Sequence, residues 1–396
     1  MNGTPRLYHE DSFLHAFDAR VVAHSSWNGA PSVILDRTAF YPESGGQMAD
    51  KGALAGIPVT DVQEDEAGAI HHVLSGPLPP AGAHVRGEIE RRRRLLHMAL
   101  HTGQHMLSRA LLDVARGETV SSRLGETACT IDLGVEKIDE RALARAEELC
   151  NSIIEDDLEI RAFFPTELEL KSLALRREPK VSENVRVVAI GDFDVSPCGG
   201  THCGRTAQVG LLRVTSLERY KGKIRVTFAA GRRAFEELTA HSDVLQALGR
   251  EFTCGPTDVP SAVDKLRREL TLAREALGHA RAELAESSAE ELWAKAQATD
   301  STRVVAVFED VDVPFLRAVA KRITARERSV VLLAATTSEG VKVLCGRGPG
   351  SAFDCGAFVM QAALRTGGRG GGKPEGAEGR LPVGVDFAKL VVELCI

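Results

Sequence analysis

No unbroken apolar run in the chain approaches the length of about 18 residues that a membrane-spanning helix needs, so no such helix is predicted. The first residues, MNGTPRLYHEDSF, lack a basic stretch followed by an apolar core, which is the pattern of a secretory signal. We therefore expect a cytoplasmic location and no membrane partner. Eight cysteines in 396 residues are too sparse for a disulfide scaffold, and most, such as Cys345 and Cys355, stand among apolar neighbours as small buried side chains do.

The sequence also lacks an excess of positive charge. Its formal net charge of −6 argues against a protein that coats nucleic acid indiscriminately. Local basic patches remain compatible with an RNA partner, because phosphate contacts act over about one Debye length. What is present is ordinary for a globular protein, with 43% hydrophobic and 26% charged residues, and the length predicts two or three domains.

Four segments differ in their residue patterns. Residues 1–88 carry short apolar runs separated by glycine, proline and asparagine, which predicts a small β-barrel or sandwich. Residues 89–240 alternate helix and strand patterns, beginning with one helix over 91–115, and are typical of an α/β core. Residues 241–300 are rich in Ala, Leu, Glu and Arg, which predicts a spacer made of a long helix, a helical hairpin or a short coiled coil. Residues 301–396 read as a small α/β domain with a glycine-dense stretch, GGRGGGKPEGAEG.

Two short motifs offer metal ligands. His101 and His105 are four residues apart on the predicted helix, so both imidazoles lie on one face and can reach one ion. Cys198 and His202 are also four residues apart, in the glycine-containing turn CGGTH. Three imidazoles and one thiolate form a tetrahedral N/S set that suits Zn²⁺.

The spacing leaves one choice open. His97 lies in the same register as His101 and His105, so one of the three is spare if the site is tetrahedral. Cys203 directly follows His202 and is interpreted as a bystander.

The motifs HTGQHML and CGGTH resemble the editing domains of alanyl-tRNA synthetases and of their free-standing relatives, the alanyl-tRNA trans-editing proteins. FYPESGGQMADKG is similar to the glycine-rich signature that precedes that editing core, and KGKIRVTFAAGRRA to the strand and helix that close it. GGRGGGKPEGAEG resembles the glycine-rich segment of the C-terminal DHHA1 domain. The first of these motifs in the chain begins at Phe40, which leaves no room for an aminoacylation domain, so the resemblance is to the long trans-editing form.

This resemblance implies an α+β multidomain fold. Its expected parts are an N-terminal β-barrel with the glycine-rich motif (1–88), an α/β zinc-binding editing core (89–240), a helical spacer or coiled coil (241–300) and an α/β DHHA1-like tRNA-binding domain (301–396). It also selects the four ligands of the Zn²⁺ cofactor, which are His101, His105, Cys198 and His202. His97 then lies one turn away, on a phosphate or a carboxylate.

The implied activity is hydrolysis of the aminoacyl ester on tRNA(Ala) mischarged with serine or glycine, in the service of translation fidelity. Binding discrimination against small side chains is modest, so a second hydrolytic site is needed. The candidate pocket residues are Gln104, Ser122 and Thr201, each of which would otherwise be a solvated or capping polar residue. The loop of Gly45, Gly46 and Gln47 is expected to bring backbone close to the acceptor end, or else to form a tight turn.

The expected partner is mischarged tRNA(Ala), held by its phosphates. Candidate contacts are Arg91 and Arg92 in the first turn of the predicted helix, and Arg369 and Lys373 within the C-terminal glycines. The alternative interpretations are a solvated charged face and a flexible loop. The helical spacer or the DHHA1 domain is where a homodimer would form.

Three other identities compete with an editing enzyme. The main alternative is a non-catalytic tRNA-binding protein with a structural zinc. A DHH-type phosphoesterase would need an Asp-His-His motif, which is absent. The editing half of a split synthetase would look similar to the trans-editing form.

Overall fold

The computed structural model describes residues 3–179, 181 and 183–394. The chain divides into two compact units, Met1–Ala247 and Leu248–Ile396, and the division falls within helix α4 (Arg232–Phe252). The finer division into four segments stays a prediction. None of the described helices is both long and apolar enough to cross a membrane.

Six strands of the N-terminal unit close into a ring. They are β1 (Ala16–Trp27), β2 (Ala30–Leu35), β3 (Gly52–Leu54), β4 (Ile57–Glu64), β5 (Ile70–Leu74) and β6 (His84–Ile89). Their order is β1-β2-β5-β4-β3-β6, and the ring closes because β1 pairs with both β2 and β6. Alternate residues of each strand point to its two faces, and one set forms an apolar core that includes Leu35, Leu54 and Val85. This closed sheet corresponds to the barrel expected at the N-terminus.

The rest of this unit mixes helices with two antiparallel sheets. The helices are α1 (Arg91–Ala115), α2 (Glu140–Glu155), α3 (Glu167–Ser172) and α4. The strands are β7 (Thr119–Leu124), β8 (Cys129–Leu133), β9 (Ile160–Phe163), β10 (Val187–Ile190), β11 (Asp194–Pro197), β12 (Leu212–Tyr220) and β13 (Lys223–Ala230). One sheet has the order β12-β13-β8-β7 and the other β11-β10-β9. Helix α1 buries most of its length against this core.

Helix α1 has the bounds that its periodicity predicts. It ends where Arg116 takes a left-handed conformation (φ 55°) and the N–H groups of Arg116 and Gly117 bond to the carbonyls of Leu112 and Leu111. Its internal Gly103 weakens the helix but allows close packing, because a Cβ there would lie 3.0 Å from the Cβ of Ala230. The helix therefore packs directly against β13, and this contact determines where its histidines lie in the core.

Three strands are not predicted by the apolar pattern of the sequence. β7 (TVSSRL) is largely polar, β9 has four residues, and β11 (DVSP) mixes polar residues with a proline. Each lacks the apolar run on which strand prediction depends. β7 and β11 nevertheless line the cavity of the candidate site, and β9 ends one residue before the lining residue Phe164.

The C-terminal unit is built on one five-stranded sheet. Its elements are α5 (Val259–Gln297), β14 (Arg303–Glu309), α6 (Val313–Thr324), β15 (Val330–Thr337), β16 (Gly340–Arg347), α7 (Cys355–Thr366), β17 (Arg369–Lys373), β18 (Gly376–Leu381) and α8 (Phe387–Leu394). The strand order is β14-β15-β16-β18-β17. β15 is buried on both faces, since its alternate residues belong to two different apolar cores, and this explains its continuous apolar run.

Two open alternatives for this unit are resolved. Within the predicted spacer, residues 241–252 are the end of α4, and the long amphipathic stretch is one continuous helix, α5, rather than a helical hairpin. The glycine-dense stretch is not a flexible loop: it forms the antiparallel hairpin of β17 and β18, in which Gly372 packs so closely that a Cβ would lie 2.5 Å from the Cα of Ala377.

Candidate metal centre

The two predicted motifs converge in the core of the N-terminal unit. One potential ligand atom from each of four buried residues lies within 4.8 Å of all the others, and these residues are His101, His105, Cys198 and His202. We call them the His–Cys cluster. Helix α1 supplies two of the imidazoles, and the turn after β11 supplies the thiol and the third imidazole. Chain segments that are about 100 residues apart in sequence thus form one site.

The spacing of the cluster fits a tetrahedral zinc ion. Cys198 Sγ lies 3.4 Å from His101 Nε2 and 3.3 Å from His202 Nε2. Ordinary Zn–S and Zn–N bond lengths in a tetrahedron place sulfur and nitrogen ligands about 3.6 Å apart. The donor atoms are therefore close to the positions that the ion requires, and the donor set is one that zinc prefers.

Two of the three imidazoles, those of His101 and His202, are oriented by hydrogen bonds at their other ring nitrogen. His101 Nδ1 is 2.7 Å from Gln47 Oε1, and His202 Nδ1 is 3.2 Å from Thr102 Oγ1. His105 Nδ1 lies 3.4 Å from Asp194 Oδ2. Protein metal sites hold their histidines in this way, because a partner on one nitrogen fixes the tautomer and aims the other nitrogen at the ion.

Gln47 is fixed by hydrogen bonds beside His101. Its Oε1 accepts from the backbone N–H of Thr201 at 3.2 Å, and its Nε2 donates to Thr201 Oγ1 at 2.8 Å. These two bonds fix the orientation of the amide, so the contact with His101 requires a proton on His101 Nδ1. The lone pair of His101 Nε2 then faces the sulfur of Cys198.

Gly200 gives His101 its place. A Cβ at this position would lie 2.2 Å from His101 Cε1 and 2.4 Å from its Nδ1. The second glycine of CGGTH is therefore needed for close approach between the turn and the helix. Arg186 stabilises the same turn, since its Nη1 donates to the carbonyls of Cys198 and Gly200 at 3.0 and 2.9 Å.

Asp194 is a site residue that the sequence reasoning missed. This buried carboxylate faces His105, accepts from Arg176 Nε at 2.7 Å and accepts from Ser196 Oγ at 3.0 Å. It stands four residues before Cys198, at the start of a strand that had no apolar pattern. The one available signal was an acidic residue just ahead of the ligand turn.

The electrostatics of the cluster favour metal-binding protonation states for Cys198 and His202, whereas for His105 burial lowers the pKa but the neighbouring Cys198 and Asp194 outweigh it and raise the pKa. Burial raises the pKa of Cys198, but the adjoining imidazoles of His101, His202 and His105 outweigh it and hold the pKa well below its usual range. Burial lowers the pKa of His202 to about 3. Burial also opposes ionisation of Asp194, yet the neighbouring His105 and Arg176 lower its pKa to about 2. A thiolate and a neutral imidazole are the forms that bind metal.

A cavity of about 690 Å³ opens beside the cluster. Its lining includes His101 and Cys198, together with four residues predicted from sequence, namely Gln104, Ser122, Gly45 and Gly46. Within the described chain, Thr201 and Gln47 are buried behind this lining and do not form part of it. The cluster is therefore reachable from one side.

The pocket residues are held by a polar network. Gln104 Nε2 donates to Ser108 Oγ at 2.7 Å, and Thr119 Oγ1 donates to the same oxygen at 2.8 Å. Gly46 (φ 89°) packs on β7, where a Cβ would lie 2.6 Å from the carbonyl oxygen of Ser122. The glycine loop thus makes its close backbone approach to β7, which places Ser122 at the cavity wall.

The arginines at the start of α1 separate into different environments. Arg91 and Arg92 are exposed, and neither forms an ion pair within the part of the chain that the structure describes. They precede His101 by about 15 Å along the helix axis. Arg94, by contrast, is buried and pairs with the buried Asp50. Arg369 and Lys373 are exposed on β17 of the C-terminal unit.

His97 and Cys203 do not join the cluster. His97 is buried, and neither of its ring nitrogens has a hydrogen-bond partner among the described residues, so the expected contact with a carboxylate is absent there. Burial and the nearby Arg93 lower its pKa to about 4. Cys203 donates its backbone N–H to Thr102, and burial raises the pKa of its thiol to about 11, as suits a bystander.

Comparison with known proteins gives two family matches within the N-terminal unit. Residues 185–227 match the threonyl and alanyl tRNA synthetase second additional domain. Residues 10–93 match the class II (A) tRNA synthetase family. The first range contains the CGGTH turn, and the second ends at the start of α1.

Individual relatives extend the similarity over nearly the whole chain. The alanine–tRNA ligase of Pyrococcus abyssi is 31% identical over 404 residues, covering 98% of this chain and 43% of that protein. The alanyl-tRNA editing protein AlaX-L of Pyrococcus horikoshii is 28% identical over 390 residues, covering 95% of this chain and 94% of that protein. The C-Ala domain of Aquifex aeolicus alanyl-tRNA synthetase aligns with 23% of the chain and 86% of that domain, at 22% identity and a TM-score of 0.22, too low to establish a common fold.

The chain spans less than half the length of the synthetase relatives, as the 42% coverage of the Thermococcus kodakarensis alanine–tRNA ligase also illustrates. It matches the editing protein, in contrast, almost from end to end. The chain is an alanyl-tRNA synthetase-related protein that covers the editing domain of that family.

Proposed function

We propose that this protein is a trans-editing hydrolase that deacylates tRNA(Ala) mischarged with serine, with glycine or with both. The observation that carries the proposal is that the His–Cys cluster lines a cavity, through His101 and Cys198, on one side of a buried site. A purely structural zinc site has no need of such an opening. The end-to-end similarity to an alanyl-tRNA editing protein supports the same conclusion.

The His–Cys cluster would hold one zinc ion. When bound, this ion would place positive charge beside the cavity, where it would help to orient and polarise the aminoacyl ester. The chain's own residues supply the rest of the chemistry. Gln47, Thr102 and Asp194 keep the three imidazoles aimed inwards, and the network around Ser108 fixes the polar wall of the cavity.

Gln104 and Ser122 are the residues that we propose to recognise the misattached amino acid. The amide nitrogen of Gln104 is engaged with Ser108, so its carbonyl oxygen is left to accept a hydrogen bond from the cavity side. A serine hydroxyl satisfies such an acceptor, whereas the methyl group of alanine leaves it unpaired. That difference is worth about 1–3 kcal/mol, or roughly 5- to 150-fold in favour of serine.

The exposed cations on both units are proposed to contact tRNA phosphates. Arg91, Arg92, Arg369 and Lys373 are all exposed, as phosphate contacts require. Each phosphate contact that is removed should reduce the slope of log affinity against log salt by about 0.9. Replacing Arg91 and Arg92 by Gln should therefore weaken tRNA binding and its salt dependence, without changing the bound metal.

A second copy of the chain is the partner that we propose for α5. Leu266, Leu270, Leu277 and Leu284 are 49–58% exposed and repeat at four- and seven-residue spacing on this helix. Such a stripe is typical of a helix that pairs with another helix. Sedimentation equilibrium should report a dimer, and replacing Leu270 and Leu277 by Lys should yield a monomer.

Release of amino acid from Ser-, Gly- and Ala-tRNA(Ala) tests the central proposal. The wild type should release serine, glycine or both, and leave Ala-tRNA(Ala) largely intact. Cys198→Ala should lose this activity while far-UV circular dichroism stays unchanged. Cys203→Ala is the matched control, because this neighbouring buried thiol lies outside the cluster and should keep the activity.

A non-catalytic tRNA-binding protein with a structural zinc is the competing function, since four protein ligands also suit a structural site. Under that function no aminoacyl-tRNA is hydrolysed by the wild type. Cys198→Ala would then unfold the N-terminal unit instead of removing an activity. Thermal unfolding of the two cysteine variants separates these outcomes.

A further inference from the structure

Phe164 is an exposed aromatic residue on the wall of the cavity. Its side chain is 53% exposed, whereas Tyr8 and Tyr41, which also line the cavity, are 1% and 3% exposed. A large apolar ring left in water forgoes the free energy of burial, so its position calls for a reason other than packing.

The backbone around Phe164 is firmly held. The residue follows β9, which pairs with β10, and it precedes Pro165, which restricts it to an extended conformation. Thr166 then caps α3: its side chain accepts from the N–H of Glu169 at 3.3 Å, and Glu169 Oε2 accepts from the N–H of Thr166 at 2.7 Å. The aromatic ring is therefore presented by a built segment between a strand and a capped helix.

A second ring connects Phe164 to the His–Cys cluster. The ring centroid of His9 is 5.8 Å from that of Phe164, and His9 Nε2 is 3.1 Å from the carbonyl oxygen of Gly199. Gly199 is the residue directly after the ligand Cys198. The aromatic pair thus adjoins the ligand turn at the edge of the cavity.

Among the described residues, the charges of the cavity wall cancel. These residues include three basic and three acidic side chains in the lining, which are Arg6, Arg177, Arg186, Glu64, Glu178 and Glu183. Arg6 pairs with Glu64, and Arg177 and Arg186 donate to backbone carbonyls of the ligand turn and the strand before it. This balance disfavours a phosphate group here. A flat, uncharged ring is the chemistry that the exposed aromatic surface fits.

We propose that Phe164 is a stacking platform for the base of the terminal tRNA nucleotide, with His9 supporting its inner edge. This inference rests on the proposed function. The aminoacyl ester and the base are attached to the same ribose. If the ester lies at the His–Cys cluster, the base is therefore separated from the cluster by only that one sugar ring. Phe164 occupies the exposed wall at that side of the ligand turn.

Steady-state deacylation of Ser-tRNA(Ala) tests the platform. Stacking of one base on an aromatic ring predicts that Phe164→Ala lowers kcat/KM by about 5- to 100-fold, through a higher KM. Phe164→Trp should keep kcat/KM within about twofold, since tryptophan also stacks. Leu168→Ala is the matched control, because Leu168 is 82% exposed on the neighbouring α3 but does not line the cavity. Equal kinetics for Phe164→Ala and Leu168→Ala would overturn the platform.

A binding measurement keeps the two proposals distinguishable. The tryptophan fluorescence of the F164W variant is titrated with uncharged tRNA(Ala) and with the same tRNA lacking its terminal adenosine, and L168W supplies the background. The platform predicts quenching of F164W that depends on the terminal adenosine. Quenching that is equal for both tRNAs would overturn it. Absence of amino-acid release by the wild type would instead overturn the proposed hydrolase.

Discussion

Two groups of buried histidines lie in the N-terminal unit, and their hydrogen bonding differs. In the closed sheet, His71 and His72 use both ring nitrogens: His71 contacts Ser32 and Asp65 at 3.3 and 3.2 Å, and His72 contacts Thr38 and Val33 at 2.8 and 3.2 Å. These side chains are fully satisfied by the fold, as buried polar groups must be.

In the His–Cys cluster, the Nδ1 atoms of His101 and His202 are hydrogen-bonded within the fold, whereas His105 Nδ1 lies 3.4 Å from Asp194 Oδ2 without a hydrogen bond among the described residues. Protein partners face the Nδ1 atoms of His101, His105 and His202, while the Nε2 atoms of His101 and His202 face the sulfur of Cys198. The difference is the one expected between a histidine that could bind a metal ion and a structural one: in the former, one nitrogen is oriented by the protein and the other faces further candidate ligands. His97, with no partner on either nitrogen, belongs to neither group.

The largest effect should come from comparing an alanine substitution of one histidine in each group. His101→Ala should weaken zinc binding by about 100- to 1,000-fold, since it removes about a quarter of a binding free energy of order 10–16 kcal/mol. His72→Ala should leave zinc affinity within about threefold but lower the free energy of unfolding by about 2–4 kcal/mol, because Thr38 and Val33 lose a buried partner. Competition with a chromophoric chelator and urea unfolding measure the two quantities. Similar behaviour of both variants would remove the distinction.

Gly200→Ala should weaken zinc binding by about 100-fold, the upper range for changes around a metal site. The added methyl group would overlap His101, whose Cε1 lies 2.2 Å from the ideal Cβ position. Gly199→Ala is the matched control, because there the nearest atom to the added Cβ is His9 Nε2 at 4.0 Å. Isothermal titration of both apo variants with zinc makes the comparison, and equal affinities would contradict the role given to Gly200.

Asp194→Asn should weaken zinc binding by about 10- to 100-fold, since it removes the negative charge that faces His105 and leaves the isosteric amide. Folding should be affected less, because the amide oxygen can still accept from Arg176, and Ser196 can accept from the amide nitrogen instead of donating. Asp132→Asn, which breaks an ion pair with Arg225 in the other sheet, controls for the loss of a carboxylate elsewhere. If both variants bind zinc alike, Asp194 does not orient a ligand.

The smallest effect concerns His97 and acid stability. Its pKa is lowered from 6.5 to about 4 by burial, so the folded state favours the neutral ring, and this stability is present above pH 6.5 and lost as the pH falls towards 4. His97→Leu should therefore reduce the loss of unfolding free energy between pH 7 and pH 4.5 by about 1–3 kcal/mol. Replacing the exposed His84 by Leu should leave this loss of unfolding free energy unchanged. Urea unfolding of the apo protein at both pH values decides the matter.

The helix pair of ligands was predictable, because the α-helical repeat places His101 and His105 on one face whatever the surrounding fold. The bounds of α1 followed from apolar spacing in the same way. The strands β7, β9 and β11 were not predictable, since they are short or polar and owe their conformation to neighbouring strands. Asp194 and Ser122 lie on such strands, so their roles depended on the fold.

The four arginines from Arg91 to Arg94 show the same limit. In sequence they form one basic run, yet Arg94 is buried on Asp50 while Arg91 and Arg92 face solvent. Residues at successive helix positions differ in direction by about 100°, and only the packing of α1 decides which direction is the interior.

The sequence by itself determined which residue types can bind a metal and which of them share a helix face or a turn, because backbone periodicity is local. The tertiary structure alone decided that the two motifs meet, that Gln47, Thr102 and Asp194 hold the imidazoles, and that His97 is left outside. The physical reason is that these contacts join segments up to about 150 residues apart, where packing of whole elements, and not local preference, sets the distances.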